Sequence, residues 1–274
     1  MSKIILKNGP WYAEISPLIG ANVTRLDYNG EKVLRRPEES VDAYQFGMPI
    51  LIPANRTENG RFTFEGKTYQ FPVNEPHVPA QLHGLVHDRH FTVDSYNETS
   101  AELSYCSTPD IYPFPFRLTV RYQLKEDGIY ASHHLENIGD GNMPFTFCLH
   151  TTFQEPKYCK VPLGLEQAHN ERYIPTGEYT QLKELDRQVV SGTDPHGKAI
   201  SGFYSSAGQV AIVGDYKYMV SDNYDHWVLY NAGGYADILC VEPQCGGVNG
   251  LNQPGNHRIL SPGASMTFLS SITR

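Results

Sequence analysis

The sequence has no long apolar run, no surplus of basic residues and no paired-cysteine motif, and each shortage removes a class of function. No stretch approaches the roughly 20 apolar residues that carry a helix across a bilayer. Lysine and arginine total 22 against 30 aspartates and glutamates, a formal net charge of -8. Nucleic acids and anionic membranes need a basic patch. Arg35-Arg36 and the segment Lys3 to Lys7 are too short and too isolated to form one, so neither is expected as a partner. The five cysteines (Cys106, Cys148, Cys159, Cys240, Cys245) are odd in number, widely spread and without a CxxC pair. That is the pattern of reduced thiols in a cytoplasm rather than of a disulfide framework. Cys240 and Cys245 flank Glu242, but ligation there needs further donors that the sequence does not place nearby, and no metal is expected. Met1 to Pro10 lacks an uninterrupted apolar core and a small-residue cleavage site, so a secretory signal is not expected and the localisation reads as cytoplasmic.

Helix signals are scarce as well. The best candidate, Tyr179 to Val189, lacks a strong cap and reads as one or two turns. What is plentiful favours strands: 18 tyrosines and 12 phenylalanines, with 24 glycines and 19 prolines as punctuation. Phe62 to Phe71 and Phe116 to Leu124 alternate apolar and polar side chains, the period of half-buried strands. Glu65-Gly66-Lys67, Tyr28-Asn29-Gly30-Glu31 and Glu126-Asp127-Gly128-Ile129 supply hairpin turns. Asp225 to Asn231 and Ala236 to Glu242 read as two later strands joined through Ala232-Gly233-Gly234. With no repeat and no low-complexity linker, residues 1–274 read as a single all-β domain, a sandwich, barrel or larger sheet-on-sheet arrangement.

Four polar residues stand in contexts that composition does not explain. Arg56 follows Asn55 just beyond an apolar segment that ends at Pro53; taken alone it reads as a solvated loop arginine. His83 precedes Gly84 inside an apolar run, as either a bonded core histidine or a ligand contact. His150 ends the apolar segment Phe145 to Leu149, where its ring can point into a cleft. Glu242 ends the apolar segment Leu239 to Val241 and precedes Pro243. A carboxylate there is expensive to bury without a partner, and a structural ion pair is the plain alternative to a catalytic role.

Together these contexts resemble the aldose 1-epimerase (galactose mutarotase) family from about residue 10 to the C-terminus. The matching motifs are the Pro53, Asn55-Arg56 and Gly60 cluster, the Phe64 to Tyr69 hairpin, His83-Gly84, His150 with Phe153, and Glu242-Pro243-Gln244. Each is weak alone; their common order and spacing carries the resemblance. It implies a galactose-mutarotase-like β-supersandwich with an open sugar cleft. It also implies roles: Glu242 as general base toward the anomeric hydroxyl, His150 as general acid toward the ring oxygen, and Arg56, His83 and Asn55 as substrate-binding groups. No cofactor is implied, and the partner is a small-molecule sugar.

That assignment agrees with the chemistry of anomer exchange. The O1 proton must leave while the ring oxygen gains one, so one base and one acid suffice. A carboxylate of ordinary pKa about 4.3 and an imidazole near 6.5 hold opposite protonation states around neutrality, before burial and mutual attraction shift them. The chain departs from the family pattern in having Thr151-Thr152 after His150. It also lacks a clear match to a sugar-binding aspartate near Phe203, where Ser201 and Gly202 stand, with Asp194 upstream. Leu149-His150-Thr151 and Cys240 to Pro243 look as much like the hexose-6-phosphate mutarotase branch, for which His87 and Arg89 are the candidate phosphate contacts. A non-catalytic sugar-binding protein on the same fold is the third reading. The sequence does not set the oligomeric state.

Overall fold

The computed structural model describes residues 2–37, 42, 44–235 and 237–274. Phe116–Lys125 buries every second residue, and its partner Gly128–Asn137 does the same. This hairpin is the centre of an eight-stranded antiparallel sheet that continues through Ser265–Thr273 and Tyr216–Val220. A second eight-stranded sheet contains, in spatial order, Pro175–Thr180, Leu163–His169, Ser201–Ser206, His226–Tyr230, Ile238–Cys245, Phe147–Leu149 and Ile50–Leu51. Its remaining strand, Thr151–Gln154, pairs with Ile238–Cys245. The two sheets meet face to face. Phe147 of the second stacks on Phe268 of the first with ring centroids 4.2 Å apart, and Trp227 meets Tyr218 at 6.2 Å. Burying each such ring stabilises the fold by about 1.5–3 kcal/mol. The all-β expectation holds, and the layered sheets match the supersandwich that the resemblance implied.

The expected hairpins form where the turn chemistry placed them. Asn29-Gly30 and Glu65-Gly66 all take positive φ, the geometry of two-residue turns that match strand twist. The helix has about the two turns expected, over 8 residues, but lies later in the chain. Tyr179 belongs to the Pro175–Thr180 strand, and the helix spans Glu184–Ser191. Asp186 starts it, accepting from the Lys183 backbone N–H and from the Tyr204 hydroxyl. That tertiary bond to Tyr204 is not visible in local sequence.

Glu242 does not end its strand, as the sequence suggested. The strand runs on to Cys245, and Ala236, the expected start, lies outside the described residues. On one side it pairs with His226–Tyr230 without interruption. On the other side its partner is split. Val241 faces Thr151 and Gln244 faces Cys148, while Glu242 and Pro243 have no ladder partner. The Gln244 carbonyl points toward Asp225 on the unbroken side. By alternation Pro243 therefore faces the split side, where it has no N–H to give. The ladder is interrupted there, yet the register is the same on both sides of the interruption and sets His150 opposite Glu242. The His150 N–H faces the other way and donates to the Pro49 carbonyl at 2.9 Å, as that of Thr152 does to Gly47.

Opposite this gap a loop holds His83 in the left-handed region, with φ 64°, its N–H donating to the Asn55 carbonyl at 2.7 Å. Gly84 makes that approach feasible. A Cβ at Gly84 would stand 2.6 Å from the Pro53 carbonyl oxygen and 2.7 Å from the Ile52 nitrogen. Gly84→Ala is expected to destabilise the protein by roughly 3 kcal/mol, at the severe end for one substitution. Gly66 also has positive φ but open space around it, so Gly66→Ala should lose only the left-handed penalty of about 1–2 kcal/mol. Equal thermal midpoints for the two variants would contradict this account of the loop.

The core also holds a histidine. His133 is fully buried between Tyr122 and Phe147, and burial pushes its pKa down to about 3. Its folded value lies below its unfolded value, so the stability it permits is complete above pH 6.5 and is lost as pH falls below it. The loss approaches the order of 1 kcal/mol per pH unit. His133→Leu should flatten the decline of the unfolding free energy between pH 6.5 and 4 by about that slope. An unchanged slope in denaturant titrations would show that this ring is not an acid-sensitive point.

Candidate active site

The second sheet faces the core with one side and a cavity of about 460 Å³ with the other. Strand alternation sets what points into it. Cys240 and Glu242 are two residues apart and so share a face, together with Tyr230 and Val228 directly across the ladder. The register of the next strand adds His150, opposite Glu242, and the left-handed loop adds His83. Glu242, His150, Arg56, His83 and Asn55, the five residues singled out from sequence, all line this one cavity. They come from four separate segments, so their convergence is a property of the fold and not of local spacing.

At the floor His150 Nε2 lies 3.3 Å from a Glu242 carboxyl oxygen, with the two side chains 7% and 2% exposed. The edge of the His83 ring meets His150 at a centroid distance of 4.8 Å, and Tyr44 covers His83 at 4.4 Å. Burial governs the electrostatics. It pushes the Glu242 carboxyl up to about 8, against smaller opposing pulls from hydrogen bonds with Cys148 and Gln244 and from the charge of Arg56. It pushes the His150 imidazole down to about 4, and His83 well below the usual range. Both values shift, as expected, and burial sets the direction of each. Desolvation outweighs mutual attraction, so the empty pair at neutral pH holds one exchangeable proton, on the carboxyl, and no net charge.

Arg56 is held more firmly than a loop arginine. Its Nε and one Nη donate to the two oxygens of Glu75 at 2.7 and 2.8 Å, while the other Nη reaches Asn55 Oδ1 at 3.4 Å. Its guanidinium also lies over the Tyr173 ring, 5.3 Å from the centroid. Glu75 neutralises it, so Arg56 offers direction more than charge. Glu75, Tyr44, Tyr173 and Arg35 were missed by the sequence reading. None lies in an apolar strand-end context, the signal that singled out the others. Arg35 lines the cavity and reaches the Gln45 carbonyl at 3.5 Å.

Ser201 and Phe203 form part of the wall, placing a neutral hydroxyl near where the family pattern has an aspartate. Asp194 does not line the cavity; it accepts from the His196 backbone. The candidate phosphate contacts do not line it either. His87 Nδ1 bonds the His83 carbonyl, and Arg89 pairs with Asp88 and with the Leu85 carbonyl.

This arrangement can be set beside known proteins. Escherichia coli (strain K12) YihR is 29% identical over 195 residues, which are 67% of this chain and 62% of that protein. The chain thus matches less than two thirds of that relative's length. A galactose mutarotase-like protein from Clostridium acetobutylicum superposes with a TM-score of 0.91 at 22% identity, covering 98% of this chain and 94% of the other. Galactose 1-epimerase from Lactobacillus acidophilus NCFM gives 0.77 at 18% identity, covering 99% and 93%. At these identities the superpositions establish a shared fold, the galactose-mutarotase-like one. The match to the family described as aldose 1-epimerase covers residues 2–273. The chain belongs to the aldose 1-epimerase family.

Proposed function

We propose that the protein is a mutarotase that interconverts the α and β anomers of a neutral aldose, with Glu242 and His150 exchanging the protons. The observation that carries this is the buried pair itself: a carboxyl and an imidazole 3.3 Å apart at the floor of a sugar-sized cavity. In the reactive state Glu242 is a carboxylate that takes the O1 proton, and His150 an imidazolium that protonates the ring oxygen. The C1–O5 bond breaks, the open aldehyde turns about C1–C2, and the ring recloses on the other face as the protons return. Asn55, Arg56 and His83 orient the hydroxyls and the ring.

The empty site holds its proton on Glu242, so the sugar must shift it to His150. A gap between pKa values of about 8 and about 4 corresponds to an unfavourable step on the order of 5 kcal/mol, before the pair's own attraction. Two charge-assisted hydrogen bonds, O1–H to carboxylate and imidazolium to O5, contribute about 1.5–3 kcal/mol each. Substrate binding therefore comes close to balancing the shift, without taking a proton from solvent. The dry pocket gates the reactive ionic state on the presence of sugar.

The proposed preference for an uncharged sugar follows from the wall. Glu75 neutralises Arg56, and among the described residues the lining adds one further arginine, Arg35, whereas a phosphate dianion calls for several convergent cations. The expected kcat/KM is higher for glucose than for glucose 6-phosphate, measured by polarimetry and NMR respectively. The reverse order would move the assignment to a sugar-phosphate mutarotase that uses Arg35.

Glu242→Gln tests the proton exchange most directly. It keeps the shape of the side chain and removes its capacity to accept a proton. Mutarotation should slow by roughly two to four orders of magnitude, while sugar affinity changes far less, since an amide still bonds a hydroxyl. A folded variant with near-normal turnover would end the catalytic assignment. Wild-type protein inactive on a broad aldose panel, yet binding sugar, would establish a binding protein instead.

A further inference from the structure

One buried group at the cavity floor has no part in proton exchange. Cys240 lines the cavity beside Glu242, and its thiol, His150 and Glu242 place one donor atom each within 4.8 Å of one another. All three residues are buried, at 2%, 6% and 2% exposure. We propose that His150 Nε2, Cys240 Sγ and a Glu242 oxygen form a site for a single thiophilic divalent cation, with Zn²⁺ as the probe, and that the bound cation blocks the sugar site.

The geometry is close to what such an ion needs. Ligands at about 2.0–2.1 Å in a tetrahedron stand roughly 3.3 Å apart, the separation observed between Nε2 and the Glu242 oxygen. A slightly longer edge suits the sulfur, so the thiol needs to close by an ångström or so, within the reach of a side-chain rotation. The donor set selects the metal class. Imidazole and thiolate favour zinc and similar ions, whereas magnesium and calcium take oxygen cages. Three protein donors leave a fourth position, which opens on the cavity where a water or a sugar hydroxyl completes the shell.

Charge balance also favours occupancy. Zn²⁺ with one thiolate, one carboxylate and a neutral imidazole has no net charge, so the complex adds no uncompensated charge to a dry pocket. The Cys240 and Glu242 protons leave to the buffer as the ion binds. Neighbours steady the donors. Thr152 Oγ1 lies 3.5 Å from the Cys240 sulfur, and the Cys148 thiol reaches the other Glu242 oxygen at 3.8 Å. The sequence placed no third donor near Cys240 and Glu242; the register of the neighbouring strand brings His150 to them. The ion takes the atoms that exchange protons with sugar, so its expected effect is inhibition. That inhibition rests on the proposed mutarotase reading, whereas binding of the ion does not.

The test uses tag-free protein carrying Cys106→Ser, which removes the exposed thiol. Calorimetric titration with Zn²⁺ should show one site, and Co²⁺ should give a thiolate-to-metal charge-transfer band in the near ultraviolet. Adding Cys240→Ser should weaken Zn²⁺ binding by at least about tenfold and abolish the cobalt band, with an unchanged thermal midpoint for the metal-free protein. Mutarotation should be inhibited over the concentration range in which Zn²⁺ binds and restored by EDTA. Absence of binding at millimolar Zn²⁺, or binding and a cobalt band that persist in Cys240→Ser, would overturn the site. Binding at this site without inhibition of a demonstrated mutarotation would overturn the blocking role. A protein that binds zinc as expected but turns over no sugar would instead refute the mutarotase reading and leave the metal site standing.

Discussion

The strand register that sets His150 opposite Glu242 is the constraint on which the site depends. Inside a sheet a proline leaves one neighbour without a donor, and a central strand ordinarily excludes it. Here the loss is confined to one side of the strand, and the neighbouring chain divides around it into Phe147–Leu149 and Thr151–Gln154. The residue at the division is His150. Its backbone finds a partner in Pro49, and its ring is left beside Glu242 on the cavity face. The register is the same on both sides of the division, so it sets His150 opposite Glu242, and the His150 N–H faces Pro49 just as the Thr152 N–H faces Gly47.

The same sheet separates two environments. Its core side is filled by aromatic stacking such as Phe147 on Phe268, while on the cavity side Glu242 and His150 are almost fully buried. Burial is the largest effect on both titrating groups, and it pushes them in opposite directions, the carboxyl up and the imidazole down. A pair in water would rest in the reverse state or exchange freely with solvent. Here burial favours the neutral state, and under the proposed mechanism the charged state becomes accessible when a sugar supplies hydrogen bonds to both groups. The recess that raises the barrier to premature ionisation also supplies the low dielectric in which those bonds are strong.

Much of this was legible in the sequence, and the illegible remainder has a common physical character. The strands Phe116–Lys125 and Gly128–Asn137 and the glycine turns follow from period-2 patterning and local φ demands, both written in adjacent residues. Glu242, His150, His83, Arg56 and Asn55 were legible because each interrupts or ends an apolar run. Glu75 and Tyr44 were not, because their part is set by what they touch across the fold: a bidentate contact to Arg56 and a ring laid on His83. The continuation of the strand through Pro243 was misread for the same reason. A proline's effect depends on which neighbour its nitrogen faces, and that is decided by pleat phase, which sequence alone leaves open. The size of the pKa shifts was out of reach because ordinary values are properties of groups in water, and burial is a tertiary quantity.

The Arg56–Glu75 pair connects these observations. An uncompensated guanidinium near Glu242 would pull the carboxyl down toward its ordinary value and favour the charged form in the empty site. With two of its donors held by Glu75, Arg56 contributes the last of the pulls on Glu242, behind two hydrogen bonds and the opposing effect of burial. The arginine can then serve as a rigid, directional hydrogen-bonding wall, held at one end by a carboxylate and on its face by Tyr173, without disturbing the resting protonation of the pair. Positioning and charge are thus supplied by different parts of the cavity. In the proposed reaction the neutral wall would orient the sugar, and the floor would stay uncharged until the sugar's hydroxyl and ring oxygen offer hydrogen bonds to the charged pair.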